Sequence, residues 1–339
     1  MSRHIVEGVP PLKYEDISIN PMSPLEEDKG SVDRAPVKDY TVSADTRIRS
    51  LVESFAESGG FMASYLAEGC RILREMVGDR ECLRWLSFVG SITATGLRGV
   101  LARIVRSGIF RYIVTTCGTI DHDIARSLNS YYRGAFELDD SKLRSIGIHR
   151  VGSVVVPEKN YGLAIERFML NLLDELYNKG VREIGSIELT REIGRRLTEG
   201  SILRAAADAG VDVVVPGVMD GAAGTQLWIF HTTHRDFHLN LFRDYDHLSE
   251  TLFKRVRRGG LIIGGGISKH HLLWLNQFGG GLDYAVYVTT GNEWDGSLTG
   301  APLREAISWG KLKTSARKVT IYGDATIILP ILAASILED

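Results

Sequence analysis

Short apolar runs alternate with longer segments of helical pattern along most of this chain. Six runs have the length of strands, and most are rich in β-branched side chains: 111–116, 151–156, 211–215, 261–263, 284–288 and 319–322. Many are separated from the next run by enough residues for a helix, and the pattern is helical from about residue 45 through the seventies. Such alternation is typical of a parallel sheet with helices on both faces. The sequence therefore predicts an α/β fold with a doubly wound, largely parallel sheet.

Glycines and small polar residues follow five of the predicted strands. In a doubly wound, Rossmann-like sheet, ligands bind beyond the carboxyl ends of the strands, so these residues mark a candidate ligand site. No G-x-G-x-x-G fingerprint follows any of the strands, however, and on spacing alone the glycines are equally well explained as tight turns. The five segments are Thr116–Gly118, Asp220–Gly221, Gly264–Gly266, Thr290–Gly291 and Asp324–Ala325.

The first part of the chain differs from the rest in composition. Five of the nine prolines lie within the first 36 residues, together with the polar run 26–30. Prolines and charged residues at this density disfavour a packed core. We therefore expect an N-terminal arm with little regular structure over residues 1–44 and an α/β domain over residues 45–339.

Composition excludes several classes of function. The net charge of -2 gives no reason to expect nucleic acid or an anionic membrane as a partner, because both need a basic surface. Three irregularly spaced cysteines, Cys70, Cys82 and Cys117, do not fit a disulfide scaffold or a zinc knuckle. The chain has neither the long apolar window of a membrane span nor an apolar signal-peptide segment. These features predict a cytoplasmic protein.

One segment near the C-terminus suggests chemistry. The run 305–311 places Lys311 where a helix is predicted to end, one glycine after Trp309 and six residues after Glu305. A lysine becomes a nucleophile when apolar surroundings and a proton acceptor remove its proton. A lysine at a helix C-terminus also complements the helix dipole without any catalytic role. The segment alone leaves both interpretations open.

The segments around this lysine form a longer pattern. In order along the chain they are Gly59–Phe61, Thr115–Gly118, Met219–Gly221, Phe230–His231, Gly264–His271, Asp283–Tyr287, Glu293–Ser297, Glu305–Lys311 and Tyr322–Ala325. Their order, residue types and spacing resemble the deoxyhypusine synthase family, over about residues 37 to 335. Agreement of several separate motifs in one order is far more specific than any one of them.

The resemblance implies an activity and a set of site residues. Members of the family use NAD to transfer the 4-aminobutyl group of spermidine to one lysine of the translation factor 5A precursor, and they are homotetramers. Lys311 matches the family's nucleophile and His270 its base; histidine has the intrinsic pKa that such a base needs. The matching cofactor residues are Thr116, Cys117, Gly118, Asp220, Gly265, Thr290, Gly291, Asp324 and Ala325, and the segment Gly90–Ala94 matches a further cofactor loop less closely. The matching substrate residues are Asp121, His122, Tyr287, Gly296, Ser297, Glu305 and Trp309.

Some positions depart from the family's eukaryotic pattern. Thr225, Leu298 and His122 stand where those members have acidic residues that meet the polyamine. A polycation held by fewer carboxylates needs other acids, and Asp121, Asp295 and Glu305 are the candidates. The pattern resembles the archaeal branch of the family.

Three other interpretations remain open on the sequence. Homospermidine synthase shares the fold and the lysine but transfers the aminobutyl group to putrescine. The spacing of His231, His234 and His238 could hold zinc in a metallohydrolase, although the resemblance implies no metal. A non-catalytic nucleotide-binding scaffold would explain the glycine-rich strand ends, but it would not need Lys311.

Overall fold

The computed structural model describes residues 36–337 of the chain. The helices are α1 Ile48–Ser58, α2 Phe61–Gly78, α3 Leu97–Arg106, α4 Cys117–Leu128, α5 Asp140–Ser145, α6 Gly162–Asn178, α7 Ser186–Gly194, α8 Ile202–Ala209, α9 Ala222–Thr233, α10 Phe242–Phe253, α11 Gly266–Gln277, α12 Glu305–Ser308 and α13 Ala325–Ala334. The strands are β1 Leu83–Phe88, β2 Tyr112–Val114, β3 Tyr132–Arg133, β4 Ile148–Val151, β5 Val154–Pro157, β6 Glu183–Ile184, β7 Asp212–Val214, β8 His238–Leu239, β9 Arg258–Ile263, β10 Leu282–Thr289 and β11 Leu312–Tyr322.

Six of these strands form one central sheet in which every pair is parallel. Their order across the sheet is β7-β2-β1-β9-β10-β11. Counted along the chain, this is the order 3-2-1-4-5-6 of dinucleotide-binding sheets, which reverses between β1 and β9. The predicted fold class, a doubly wound and largely parallel sheet, is confirmed.

Helices cover both faces of this sheet because successive side chains of each strand point to opposite sides. Leu86 and Phe88 of β1 belong to the core on one face, which includes Leu73 of α2. Trp85 of the same strand belongs to the core on the other face, which includes Leu272 of α11. Both faces are therefore covered, and every residue of the inner strands β2 and β9 is buried.

Two details of the predicted sheet were wrong. The run 151–156 is not a strand of the central sheet: it bends at Gly152, whose φ is 58°, and joins the antiparallel strands β4 and β5 of a small separate sheet. The central strand β1 was missed because its sequence, LRWLSF, contains no β-branched residue. Its burial between two neighbouring strands overrides that weak local preference.

The predicted N-terminal arm lies mostly outside the described residues. Its last part, residues 36–44, contains no helix or strand, and the described residues from 38 onward form one compact unit. Lys38 is bound to α1 through its backbone N–H, which donates to the carbonyl of Glu57, and through its amine, which lies 3.1 Å from the Glu57 carboxylate. The boundary after residue 44 stays a prediction.

A buried carboxylate holds two helices together on one side of the sheet. Asp123 of α4 is fully buried and accepts hydrogen bonds from the backbone N–H groups of Ile202 and Leu203, at the start of α8. Its other partner is Arg98 of α3, whose Nε donates over 2.7 Å. Burial raises the pKa of Asp123, and the charge of Arg98 and these hydrogen bonds oppose that rise. Asp123 thus caps α8 and compensates a buried guanidinium.

Replacing Asp123 should destabilise the protein strongly. Asp123→Ala leaves Arg98 buried without its charged partner, which typically costs about 3–5 kcal/mol, and removes the acceptor of two N–H groups at the start of α8. The matched control is Asp140→Ala, because Asp140 pairs with Arg150 at the surface, where an ion pair contributes little. Urea denaturation should show a large fall in the midpoint for Asp123→Ala and almost none for Asp140→Ala. Equal midpoints for the two variants would contradict this role of Asp123.

Candidate active site

A cavity of about 250 Å³ lies between α11 and the chain segment that leads into β11. It collects four of the residues assigned to catalysis or substrate binding from the sequence: His270, Glu305, Trp309 and Lys311. The remaining lining residues are Lys269, Leu273, Trp274, Leu298, Ala301, Pro302 and Ala306. Residues about forty positions apart in sequence therefore surround one space.

Lys311 is placed in this cavity by the end of helix α12. The helix ends at Ser308 with Trp309 as its C-cap, and Gly310 adopts a left-handed conformation with φ of 68°. The N–H of Gly310 donates to the carbonyl of Ile307 over 2.9 Å and that of Lys311 to Ala306 over 3.0 Å. These two bonds are the Schellman pattern, in which glycine is the favoured residue. The predicted helix end before Lys311 is confirmed.

Two tryptophan rings flank the amine of Lys311. Its Nζ lies 5.4 Å from the ring centre of Trp309 and 5.8 Å from that of Trp274. At these distances the ring faces attract a positive charge, so the same place suits a protonated polyamine as well as the lysine itself. Trp309 is 62% exposed, which leaves its ring accessible to a ligand.

His270 lies on the face of α11 that lines the cavity. Positions four apart on a helix lie one above the other, and the His270 ring stacks on Trp274 with centres 6.1 Å apart. Burial lowers the pKa of His270, and the positive charge of Lys311 lowers it further. His270 is therefore neutral at pH 7 and can accept a proton.

The sequence reasoning missed two residues of this cavity, Lys269 and Trp274. Lys269 is buried; its amine donates to the carbonyls of Leu298, over 2.7 Å, and Ala301, and lies 4.1 Å from the Tyr287 ring centre. Burial lowers the pKa of Lys269 to about 8, while the carboxylate of Glu305 opposes that fall. The i, i+4 spacing from His270 would have indicated Trp274. No comparable signal distinguishes Lys269 from an exposed lysine.

The other substrate residues near the cavity have structural contacts of their own. The Tyr287 hydroxyl is buried, donates to the Thr299 carbonyl over 2.5 Å, and has its pKa raised to about 12 by burial. Gly296, with φ of 71°, and Ser297 form the turn before Leu298. Ser297 accepts a hydrogen bond from the N–H of Gly300 through its hydroxyl. Tyr287 and Ser297 thus shape the loop that closes the cavity.

Asp121 and His122 do not line this cavity. Asp121 is buried and caps α9, because its carboxylate accepts from the N–H groups of Ala222 and Ala223 and from the Tyr161 hydroxyl. His122 is buried on the same helix α4, and a hydrogen bond of 3.0 Å joins its Nδ1 to the Tyr131 hydroxyl. Burial lowers the pKa of His122 to about 4. The carboxylate of Asp121 is already occupied by protein donors, so in this chain it holds α4 against α9.

The residues expected to bind the cofactor all follow carboxyl ends of the central strands. They come after β2, β7, β9, β10 and β11, which end at the same edge of the sheet because all are parallel. The strand order reverses between β1 and β9. The segments that follow these two strands, Gly90–Ala94 and Gly264–Gly266, therefore lie next to the reversal. This edge is where doubly wound sheets bind dinucleotides.

Backbone geometry at this edge suits a dinucleotide. Gly90 packs so closely that an added Cβ would lie 2.7 Å from the Thr116 hydroxyl and from the backbone of Gly118 and Thr119. Helices α4 and α11 begin here without a side-chain cap, which leaves their first N–H groups available for phosphate. Around Gly266, with φ of 63°, a Cβ would meet no atom within 4 Å. Close-packed glycines beside open space and uncapped helix starts fit a pyrophosphate.

Two of the positions at which this chain lacks the acidic residues of the family's eukaryotic members lie in different parts of the structure. Leu298 lines the cavity, whereas Thr225 lies on α9, where its hydroxyl donates to the Gly221 carbonyl over 3.0 Å. The cavity therefore has an apolar wall at Leu298, and Glu305 is the carboxylate among its lining residues.

The three histidines considered as zinc ligands make other contacts. The Nδ1 of His231 lies 2.6 Å from the Phe237 carbonyl, and the ring of His234 stacks on Phe230 with centres 3.9 Å apart. Within residues 36–337, no three His, Cys, Asp or Glu side chains approach closely enough to hold a metal ion. The same part of the chain has no helix with the length and apolarity of a membrane span.

Comparison with known proteins identifies the family. The family model described as deoxyhypusine synthase matches residues 50–336. A probable deoxyhypusine synthase of Thermoplasma acidophilum is 46% identical over 303 residues, 89% of this chain and 97% of that protein. One from Ignicoccus hospitalis is 48% identical over 310 residues, 90% and 96% of the two chains.

Solved structures share the fold at low identity. A crystal structure of a protein assigned as a deoxyhypusine synthase from Entamoeba histolytica has a TM-score of 0.59 and 19% identity, over 88% of this chain and 96% of that one. The ternary complex of AgrE with ornithine and NAD+ has a TM-score of 0.50 and 11% identity, over 81% of this chain and 33% of that one. Because the family model spans most of the chain, and relatives nearly half identical match it along almost their whole length, the chain belongs to the deoxyhypusine synthase family.

Proposed function

We propose that this chain transfers the 4-aminobutyl group of spermidine to one lysine of the translation factor 5A precursor, with Lys311 as the nucleophile. The observation that carries the proposal is the cavity in which the Lys311 amine lies between Trp274 and Trp309, with His270 and Glu305 in the same wall. These groups are a nucleophile, a proton acceptor and a cation-binding surface. Transfer of an amine fragment needs all three.

The covalent steps take place on Lys311. NAD, when bound, would supply the redox chemistry, as the acceptor of a hydride from the carbon beside the secondary nitrogen of spermidine and as the donor that reduces the final imine on the acceptor lysine. The Lys311 amine attacks the oxidised carbon and expels 1,3-diaminopropane, so that the aminobutyl group is held on Lys311 as an imine. The acceptor lysine then displaces Lys311. Each of the two exchanges forms one carbon–nitrogen bond and breaks another, and the overall reaction involves no net oxidation.

His270 accepts the protons that these exchanges release. A neutral imidazole beside a cationic amine lowers the cost of deprotonating that amine, and the lowered pKa of His270 keeps it neutral at working pH. Lys269 anchors the loop at Leu298 and Ala301, which keeps the cavity closed on that side.

The polyamine is held by charge and by aromatic surface. Glu305 pairs with a terminal ammonium, Trp309 covers the aliphatic stem, and Leu298 contacts methylene groups. With an apolar residue at position 298, Glu305 carries more of the electrostatic recognition than it would in a pocket with several acids.

The cofactor is held at the sheet edge. Gly265, Thr116 and Gly118 would hold its pyrophosphate through backbone N–H groups, and the remaining strand ends would be lined by Asp220, Thr290, Gly291, Asp324 and Ala325. Cys117 is buried at the start of α4, and burial raises its pKa to about 12, so its thiol contributes packing and no nucleophile.

The protein works in the cytoplasm as a homotetramer. Phe61 is 94% exposed and Trp294 is 92% exposed, and large apolar side chains left this open are typical of surfaces that a partner covers. A fully active monomer in light scattering would contradict this assembly.

Replacing Lys311 should abolish the covalent intermediate. When the protein is incubated with NAD and labelled spermidine and then treated with borohydride, the wild type should carry a stable aminobutyl label on Lys311. Lys311→Ala should carry none but should still release 1,3-diaminopropane slowly, because oxidation of the amine precedes attack and water can hydrolyse the oxidised amine in place of the lysine. The control Lys318→Ala, on strand β11 that follows Lys311, should be labelled like the wild type. Peptide mapping that places the label on Lys269 would contradict the assignment.

The pKa of His270 should depend on Lys311. We expect His270 to titrate below the ordinary value of 6.5, so that the neutral, proton-accepting form predominates at pH 7 and activity falls as the pH drops below that range. Lys311→Met removes a positive charge and should raise the pKa of His270, measured by NMR titration of its ring. Lys318→Met should leave it unchanged. A downward shift in Lys311→Met would exclude the electrostatic coupling.

A further inference from the structure

A second concave surface lies at the edge of the sheet opposite the proposed cofactor site. It has a volume of about 850 Å³ and is formed where strands β1, β9, β10 and β11 begin. Its lining residues come from positions 80–81, 254–257, 279–280 and 313. None of them belongs to the cavity around Lys311. We call this surface the basic pocket.

The basic pocket carries a large excess of positive charge. Five lining residues are cationic and one, Glu81, is acidic. Two of the cations already have partners: Arg257 pairs with Asp79 over 2.6 Å, and Lys313 with Asp283 over 2.7 Å. The side chains of the other three have no ion pair or hydrogen bond within residues 36–337: Arg80, Lys254 and Arg255. Cations clustered in this way repel each other unless an anion lies between them.

A buried guanidinium adds to this charge from below. Arg258 is fully buried beneath Gly279, a lining residue, where an added Cβ would lie 2.1 Å from its Nε. That Nε has no hydrogen-bond partner among the residues that the structure describes, although Nη2 donates to the carbonyls of Thr251, Leu252 and Lys254. The absence of a side chain at position 279 brings the guanidinium close to the floor of the basic pocket.

We propose that the basic pocket binds a small polyanion that carries several phosphate groups, separately from NAD. Arginine guanidinium groups match phosphate oxygens in pairs, and a concave surface of this size encloses a triphosphate group. The concave shape favours a compact anion over an extended acidic chain. Within residues 36–337 no acidic side chain pairs with Arg80, Lys254 or Arg255, and the phosphate groups of the ligand form ion pairs with them instead.

Calorimetric titration with inorganic tripolyphosphate tests the proposal on the full chain with NAD present. The wild type should bind about one tripolyphosphate per chain, and added salt should weaken binding because the contacts are ionic. Arg80→Gln combined with Arg255→Gln should weaken binding at least tenfold. The matched control, Arg144→Gln with Arg167→Gln, removes the same charge from exposed positions on α5 and α6 and should bind like the wild type. Lys254→Gln alone should show an intermediate loss.

Other titrants identify the source of the phosphate or overturn the proposal. Equal binding of ATP and tripolyphosphate would indicate a nucleoside triphosphate, and binding of tripolyphosphate alone would indicate a free polyphosphate. Absence of binding at millimolar tripolyphosphate, or equal weakening in the control pair, would overturn the proposal. Binding of a short RNA without binding of tripolyphosphate would do the same. None of these results depends on aminobutyl transfer, so failure here leaves the proposed function intact.

Discussion

The position of helix α11 is the constraint that relates the two halves of the candidate site. It begins at Gly266, directly after β9, beside the point where the strand order reverses, so its first N–H groups face the edge expected to hold the cofactor. His270 and Trp274 follow one and two turns later, about 6 and 12 Å along the axis at the usual rise of 1.5 Å per residue. One rigid element therefore joins the sheet edge expected to hold the cofactor to the cavity that contains Lys311.

The cavity holds two lysines, and their surroundings separate their roles. Burial lowers the pKa of the Lys269 amine to about 8, which alone would favour it as nucleophile. Its hydrogen bonds to the carbonyls of Leu298 and Ala301 and its place over the Tyr287 ring all stabilise the charged form and occupy its protons. Lys311 lies beside aromatic faces and a neutral histidine instead, with its amine free to reach a substrate. On this geometry Lys311, and not Lys269, is the proposed nucleophile.

The sequence predicted the parts of this molecule that follow local rules. Strand ends marked by glycine and the helix end before Lys311 were found because turn and cap geometry demands those residue types, and the family resemblance is confirmed. Strand β1 was missed because its place in the sheet, and not its residue types, makes it a strand. The capping role of Asp121, the buried amine of Lys269 and the guanidinium beneath Gly279 depend on contacts between distant segments. No local pattern reports such contacts, and the residue assignments carried by the resemblance remain proposals.

The relatives that match this chain along nearly their whole length are named deoxyhypusine synthases, which does not favour homospermidine synthase activity. The most direct test is to incubate the purified chain with NAD, isotopically labelled spermidine and either the translation factor 5A precursor or putrescine, and to weigh the products by mass spectrometry. The account predicts one labelled aminobutyl group on a single lysine of the factor, with no net formation of NADH. Labelled homospermidine together with an unmodified factor would contradict it.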